Sequence, residues 1–354
     1  MSKNSKSQKR NKKNRRRAIL IAFLLMLVVG VVLGTGTYAW FTANKTVTVD
    51  DITVNVATSN GLQISADAIT FKTLLSNEDL TGAHNTYTNA KNQIPSNTAQ
   101  MVPVSTVGTF DSATGLLNMY RGEIVGNEST GANILTTSKS TEANGTTGDF
   151  IAFDIFLQVT QASAVYLTSN SGVETSMATS NGIENAARIA FVFQGTRETG
   201  TAAATIQNLV TTADSPTDTT AGNQTVKIWE LNNDVHTAAA VTNAATGYNV
   251  TTTQTGGSQI PYYGVKAAIA ESNNVAVAST NSTYFSSVAS PLLFLSTPAS
   301  GIPSSAYAQV FNLQAGISKI RVYMWVEGQD VDCENNASGG GLTYNLQFST
   351  LERA

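Results

Sequence analysis

Residues 151–159 read Ile151-Ala152-Phe153-Asp154-Ile155-Phe156-Leu157-Gln158-Val159. Every odd position is apolar, and the even positions carry Asp154 and Gln158. A period of two rather than 3.6 is the pattern of a strand with one face on a core. The same alternation recurs at Ala187, Ile189, Phe191 and Phe193, at Ile320, Val322, Met324 and Val326, and at Leu342, Tyr344, Leu346 and Phe348. Shorter runs at 62–65, 164–168, 226–230, 262–270 and 307–313 bring the expected total to about ten strands. The helical candidates are 74–80 and 204–210. Nothing reads as a series of βαβ units, so the expected fold is all-β, an antiparallel sandwich of jelly-roll type. Four Thr/Ser/Asn-rich stretches, about 125–149, 195–223, 236–259 and 272–288, read as long insertions between strands, some of them forming hairpins or short helices.

Upstream of this body the chain changes character. Residues 1–17 hold nine Lys and Arg and no acid, and Ala18 to Leu33 follows without a charge. Those 16 residues span about 24 Å as a helix, short of a comfortable bilayer crossing. Small residues follow, with Thr37 and Ala39 at the minus-three and minus-one positions that a signal peptidase reads. The expected cut falls between Ala39 and Trp40, making 1–39 a signal peptide and sending the rest outside the cell. The alternative is an uncleaved anchor whose span is completed by Gly34 to Phe41. Cleavage leaves 24 acids against 12 scattered bases, a net charge of about −12, which argues against nucleic acid as a partner. The mature chain is sparsely charged and polar, as suits a protein that packs against copies of itself. Cys333 is the only cysteine, so no intrachain disulfide forms, and a buried, inert thiol is expected.

The segment after the cut reverses phase. Phe41, Ala43, Val47 and Val49 place apolar groups on odd positions, interrupted by Lys45, whereas Ile52, Val54 and Val56 place them on even ones. One regular strand cannot bury both sets. Either a β-bulge or corner lies at Asp50-Asp51, or residues 40–50 form a strand separate from the body at 51–354. In the second reading Trp40, Phe41, Ala43, Val47 and Val49 face a groove in a neighbouring subunit, and head-to-tail donation builds a filament.

Candidate chemistry is thin. His84 and His236 are the only histidines, 152 positions apart, and neither belongs to an HExxH pattern, so zinc proteolysis is not expected. No phosphate-binding glycine loop appears, and Gly339-Gly340-Gly341 reads as a hairpin connection. Glu327, Asp330, Asp332 and Glu334 form the one acidic cluster suited to an ion; calcium is the cation that oxygen ligands in a turn would take. A solvated acidic turn, or a structural network around Trp325 and Cys333, is the plainer reading. Trp229 and Trp325 read as packing residues.

The junction Thr37-Tyr38-Ala39-Trp40-Phe41 and the block Trp325-Val326-Glu327-Gly328-Gln329-Asp330-Val331-Asp332-Cys333 resemble the TasA/camelysin-like secreted proteins of Gram-positive bacteria. The likeness covers about 37–66 and 318–350, with echoes at Ile228-Trp229-Glu230-Leu231-Asn232 and Tyr262-Tyr263-Gly264-Val265. The resemblance implies a jelly-roll subunit, processed by signal peptidase, that assembles into biofilm-matrix or surface fibres by donor-strand exchange. Its partners would be itself and other matrix or wall components, with no cofactor required. A surface adhesin or carbohydrate-binding module, presenting the Thr/Asn-rich insertions, is the second reading, and a metal-dependent secreted hydrolase the third.

Overall fold

A computed structural model describes residues 47–57, 61–83, 87, 93–95, 101–109, 116–126, 133–142, 145–168, 170–175, 182–209, 226–230, 236–242, 263–277, 281–288, 291–293, 308–334 and 339–350. The expected signal peptide, the cleavage residues Thr37, Ala39 and Trp40 read from the sequence, and Phe41 and Ala43 lie outside them. Among the described residues no helix is long and apolar enough to cross a membrane.

The chain opens with β1 (Thr48–Val56), β2 (Gln63–Ser65) and β3 (Leu74–Leu75), then the helix α1 (Asn77–Gly82). Next come β4 (Val104–Ser105), β5 (Met119–Gly126), β6 (Asn133–Ser140), β7 (Ile151–Val159), β8 (Ser163–Leu167), β9 (Gly172–Thr175) and β10 (Ala187–Arg197). The second helix, α2, spans Ala203–Gln207. It precedes β11 (Val226–Glu230), β12 (Gly264–Val265), β13 (Phe285–Ser286), β14 (Pro291–Leu293), β15 (Ala308–Leu313), β16 (Gly316–Val326) and β17 (Gly341–Thr350). The alternating runs of the sequence are therefore strands. Of the helical candidates, 74–80 divides: Leu74 and Leu75 pair with β1, and the helix begins after Ser76, whose hydroxyl caps it by accepting from the Asp79 N–H.

Two six-stranded sheets organise the molecule. The first runs β15-β8-β17-β1-β3, with β9 also on β17; the second runs β14-β11-β10-β16-β7-β2. Their facing sides make one core: Phe153 and Ile155 of β7, Phe191 of β10, and Val322 and Met324 of β16 meet Ile52, Leu346 and Phe348 of the first sheet. Phe191 stands edge-on to both Phe311 and Phe348 at 5.8 Å, a favoured aromatic geometry. Most strand pairs are antiparallel, as the alternation implied. The exceptions are β1 against β17 and β14 against β11, which are parallel.

The second sheet is covered on its outer side as well. Val104, Leu117 and Met119, from the layer that includes the β4-β5-β6 sheet, pack on Ala152, Ala190, Val192, Tyr323 and Trp325. Asp154, read from sequence as a polar face in water, is consequently 0% exposed. Alternation identifies the more apolar face of a strand; it does not show whether another layer covers the polar one.

Stretch 125–149 contains all of β6, paired along its length with β5 and burying Ile134 and Leu135, a hairpin within an expected insertion. Two expectations need correction. Stretch 262–270 gives only the two-residue β12 and an isolated bridge at Ile269. The connection at 339–341 is no hairpin, since β16 lies in the second sheet and β17 in the first. It is a crossing between sheets, and Gly339, at φ +78°, takes a backbone conformation that disfavours side chains.

Candidate functional site

The phase reversal at Asp50-Asp51 has a definite structural cause. Val49 stands opposite Leu342 and Asp51 opposite Thr343, so Asp50 is an extra residue in β1, a bulge. One added residue returns both apolar sets to the same side. Val47, Val49, Ile52, Val54 and Val56 are all buried in the main core, and Val47 exchanges backbone hydrogen bonds of 2.9 and 2.8 Å with Met101. The assignment of Val47 and Val49 to a separate intersubunit strand is thus corrected: within the chain they belong to its own core. The boundary drawn at residue 50 likewise falls inside a continuous strand. Trp40, Phe41 and Ala43 of the proposed strand lie outside the described residues.

β1 is nevertheless unevenly paired. One side follows β17 from Thr48 to Val56, whereas the other meets β3 only at Val54 and Asn55. Between Val47 and Val54 no strand among the described residues lies on that side. The Ile52 N–H turns to the carboxylate of its neighbour, Asp51, at 2.9 Å, and Asp50 and Asp51 are exposed. Two exposed acids along a strand edge resist indiscriminate pairing.

The acidic cluster occupies the turn after β16. Backbone bonds anchor that turn, from Glu327 N to Ala186 O at 2.8 Å and from Gly328 N to Val104 O at 3.0 Å. All four of its carboxylate residues are buried rather than solvated, and only Asp330 and Asp332 come together. Glu327 turns to Trp325, accepting its indole Nε1–H and the Gln329 N–H, each at 3.1 Å. Burial pushes its carboxyl up to about 7, against the hydrogen bonds from Ser105, Trp325 and Gln329 that favour the ionised form. Asp330 pairs with the buried Arg188 at the start of β10 and accepts the Asp332 N–H at 2.8 Å. Glu334 is buried close by in the chain, and Cys333 is buried and in no disulfide, as expected.

Sequence reasoning missed the partners of this turn. His236 Nδ1 lies 2.7 Å from Asp332 Oδ2, and the Thr237 N–H donates to Asp332 Oδ1 at 2.9 Å. Burial disfavours the imidazolium, but the hydrogen bond to Asp332 and the charges of Asp330 and Asp332 outweigh it and raise the imidazole pKa. Gly182 is required beside them: at φ +91°, a Cβ there would come within 2.8 Å of Asp332 Oδ1. His236 and Arg188 are 96 and 142 positions from their aspartates, so no local spacing announces them.

His236, Asp330 and Asp332 hold ligand-type atoms within 4.8 Å of one another. A cation there would take Asp330 from Arg188. With His236 protonated, two positive and two negative groups balance, and the set is complete as a clamp joining β10, the turn and segment 236–242. The imidazole is 2% exposed and its Nε2 has no hydrogen-bond partner, a poor position for a base acting on an outside substrate.

A second buried network crosses the outer side of the second sheet. Arg321 donates from Nε and Nη2 to Asp154 at 2.6 and 2.8 Å and from Nη1 to Glu142 at 2.8 Å. Lys319 Nζ lies 3.3 Å from Asp154 and donates to the carbonyls of Gln207 and Leu209 at 2.7 and 3.2 Å. Burial alone would raise the Asp154 carboxyl, but Arg321 and Lys319, with hydrogen bonds from Arg321 and Tyr87, hold it at about 2. Each charge is paired and hydrogen-bonded, which marks the group as structural.

Comparison with protein-family models, with curated proteins and with solved structures returns no match.

Proposed function

We propose that this chain is a secreted structural subunit that polymerises into extracellular fibres, residues 40–46 of one copy adding as a strand to the open edge of β1 in the next. The edge between Val47 and Val54, bordered by exposed Asp50 and Asp51, is the observation that carries this reading. In the donor, Trp40-Phe41-Thr42-Ala43-Asn44-Lys45-Thr46, Phe41 and Ala43 share one side with Lys45, opposite Thr42, Asn44 and Thr46, and Lys45 offers the charge that the two acids call for. Strand addition of this kind gains backbone hydrogen bonds, with side chains setting specificity. Because donor and acceptor differ, the contact is head-to-tail, and repeated without a closing rotation it builds a filament.

The export signal in residues 1–39 and the resemblance to TasA/camelysin-like proteins support the same reading, and the two packed six-stranded sheets support a jelly-roll subunit. No enzymatic activity and no cofactor enter it: the acidic turn acts as a clamp, and calcium would bind there only in competition with the Arg188–Asp330 pair. Charge exchange tests the contact. Lys45→Glu should abolish sedimentable fibres, and Lys45→Glu combined with Asp50→Lys and Asp51→Lys should restore them. Undiminished fibres from the Lys45→Glu variant would overturn the pairing.

A further inference from the structure

The outward face of the first sheet is built from side-chain amides and hydroxyls tied into a fixed array. Asn345 Oδ1 accepts from Thr53 Oγ1 at 3.1 Å and from Asn55 Nδ2 at 3.2 Å, while Asn345 Nδ2 donates to Asn170 O at 2.8 Å. Gln347 Oε1 accepts from Thr168 Oγ1 at 2.6 Å and from Asn170 Nδ2 at 2.9 Å. Register places Gln347 opposite Asn55, and Asn55 opposite Leu74. With Thr168 bonded to Gln347, one polar row crosses to the β3 edge over about 14 Å at ordinary strand spacing.

These bonds fix the amides without exhausting them. Gln347 keeps its Nε2 donor, and Asn55 and Asn170 keep their Oδ1 acceptors, none with a partner among the described residues. Tyr166, half-buried, stands two residues before Thr168 on the same side of β8, opposite Ser349.

The charge on this face selects the ligand. The outward positions of β1, β17, β8 and β9 hold no Lys or Arg, and Asp51 and Glu174 stand near one end of it. Phosphates and uronic acids therefore find nothing to pair with. Tyr166 and the half-exposed Leu74 are too little apolar surface to seat a protein partner. Hydroxyls that both donate and accept match pre-ordered amides, and a tyrosine ring gives the apolar face of a sugar ring somewhere to lie. From this we infer that the outward face of β8, β17 and β1 binds a neutral polysaccharide. This places glycan recognition on the sheet rather than on the Thr/Asn-rich insertions, and it is independent of polymerisation.

Affinity electrophoresis of the full chain through gels containing a neutral β-glucan, mannan or galactan, with polygalacturonate as the anionic control, tests it. The expected result is retardation in at least one neutral gel and none in polygalacturonate. Tyr166→Ala and Gln347→Ala should each weaken it at least tenfold while the protein still unfolds in one cooperative transition. If Gln347→Ala does not fold, Asn170→Ala, in the exposed turn, takes its place with the same expectation. Free migration in every neutral gel would overturn the inference, as would equal retardation by polygalacturonate or undiminished binding by the variants. Self-association that these variants abolish, without retardation by any glycan, would overturn it too and assign the face to a second copy.

Discussion

Glu327 shows how one buried side chain sets the behaviour of its surroundings. It is fully buried, and its carboxyl is pushed up to about 7, whereas an unfolded glutamate titrates near 4.3. The folded state therefore binds the proton more tightly, so the contribution of this group is fully present below the unfolded value and is lost as pH rises toward 7. The shift corresponds to about 4 kcal/mol. Asp154 acts in the opposite sense: held at about 2, it contributes above the unfolded aspartate value and is lost only in strong acid. Urea unfolding of the wild type should show stability falling between pH 4.5 and 7, and Glu327→Gln should flatten that decline. A decline of unchanged slope in the variant would show that Glu327 is not its source. The sequence displayed the acidic cluster but not this environment, because Ser105 and the Val104 carbonyl that hold the turn come from more than 200 positions away.

Among elements, β1 is the most instructive. The alternation of Val47 and Val49 against Ile52, Val54 and Val56 marked a defect at Asp50-Asp51 in the sequence, and the defect is there. Its kind was not legible. A bulge and a break give the same string of residues, and only the pairing of Val49 with Leu342 and Asp51 with Thr343 distinguishes them. Deletion of Asp50 should therefore be costly, since it forces Val47 and Val49 out of the core or moves the rest of the strand off its register. At about 2 kcal/mol for each valine exposed, a loss of about 4 kcal/mol is expected. Asp50→Ala keeps the bulge and should stay within about 0.5 kcal/mol of the parent. Urea midpoints of the two variants measure the difference, and equal midpoints would contradict the bulge's role.

At the scale of the whole molecule, the four strong alternating runs became β7, β10, β16 and β17, three of them side by side in the second sheet. That much was readable because burial against one core imposes a period of two. The third layer was not, since the strands that form it, such as Met119–Gly126 and Asn133–Ser140, are rich in Thr, Ser, Gly and charged residues. Nor does a sequence disclose a parallel neighbour such as β17 for β1, which depends on how the chain crosses between sheets. The proposed assembly rests on that arrangement, because between Val47 and Val54 it leaves one side of β1 without a strand among the described residues.

Electron microscopy of two secreted forms, 40–354 and 47–354, tests the proposed assembly most directly. The shorter form keeps every core residue of β1 and loses only the donor. Filaments from 40–354 and folded monomers from 47–354, judged by circular dichroism and gel filtration, are expected. Filaments from both forms, or monomers from both at high concentration, would contradict it.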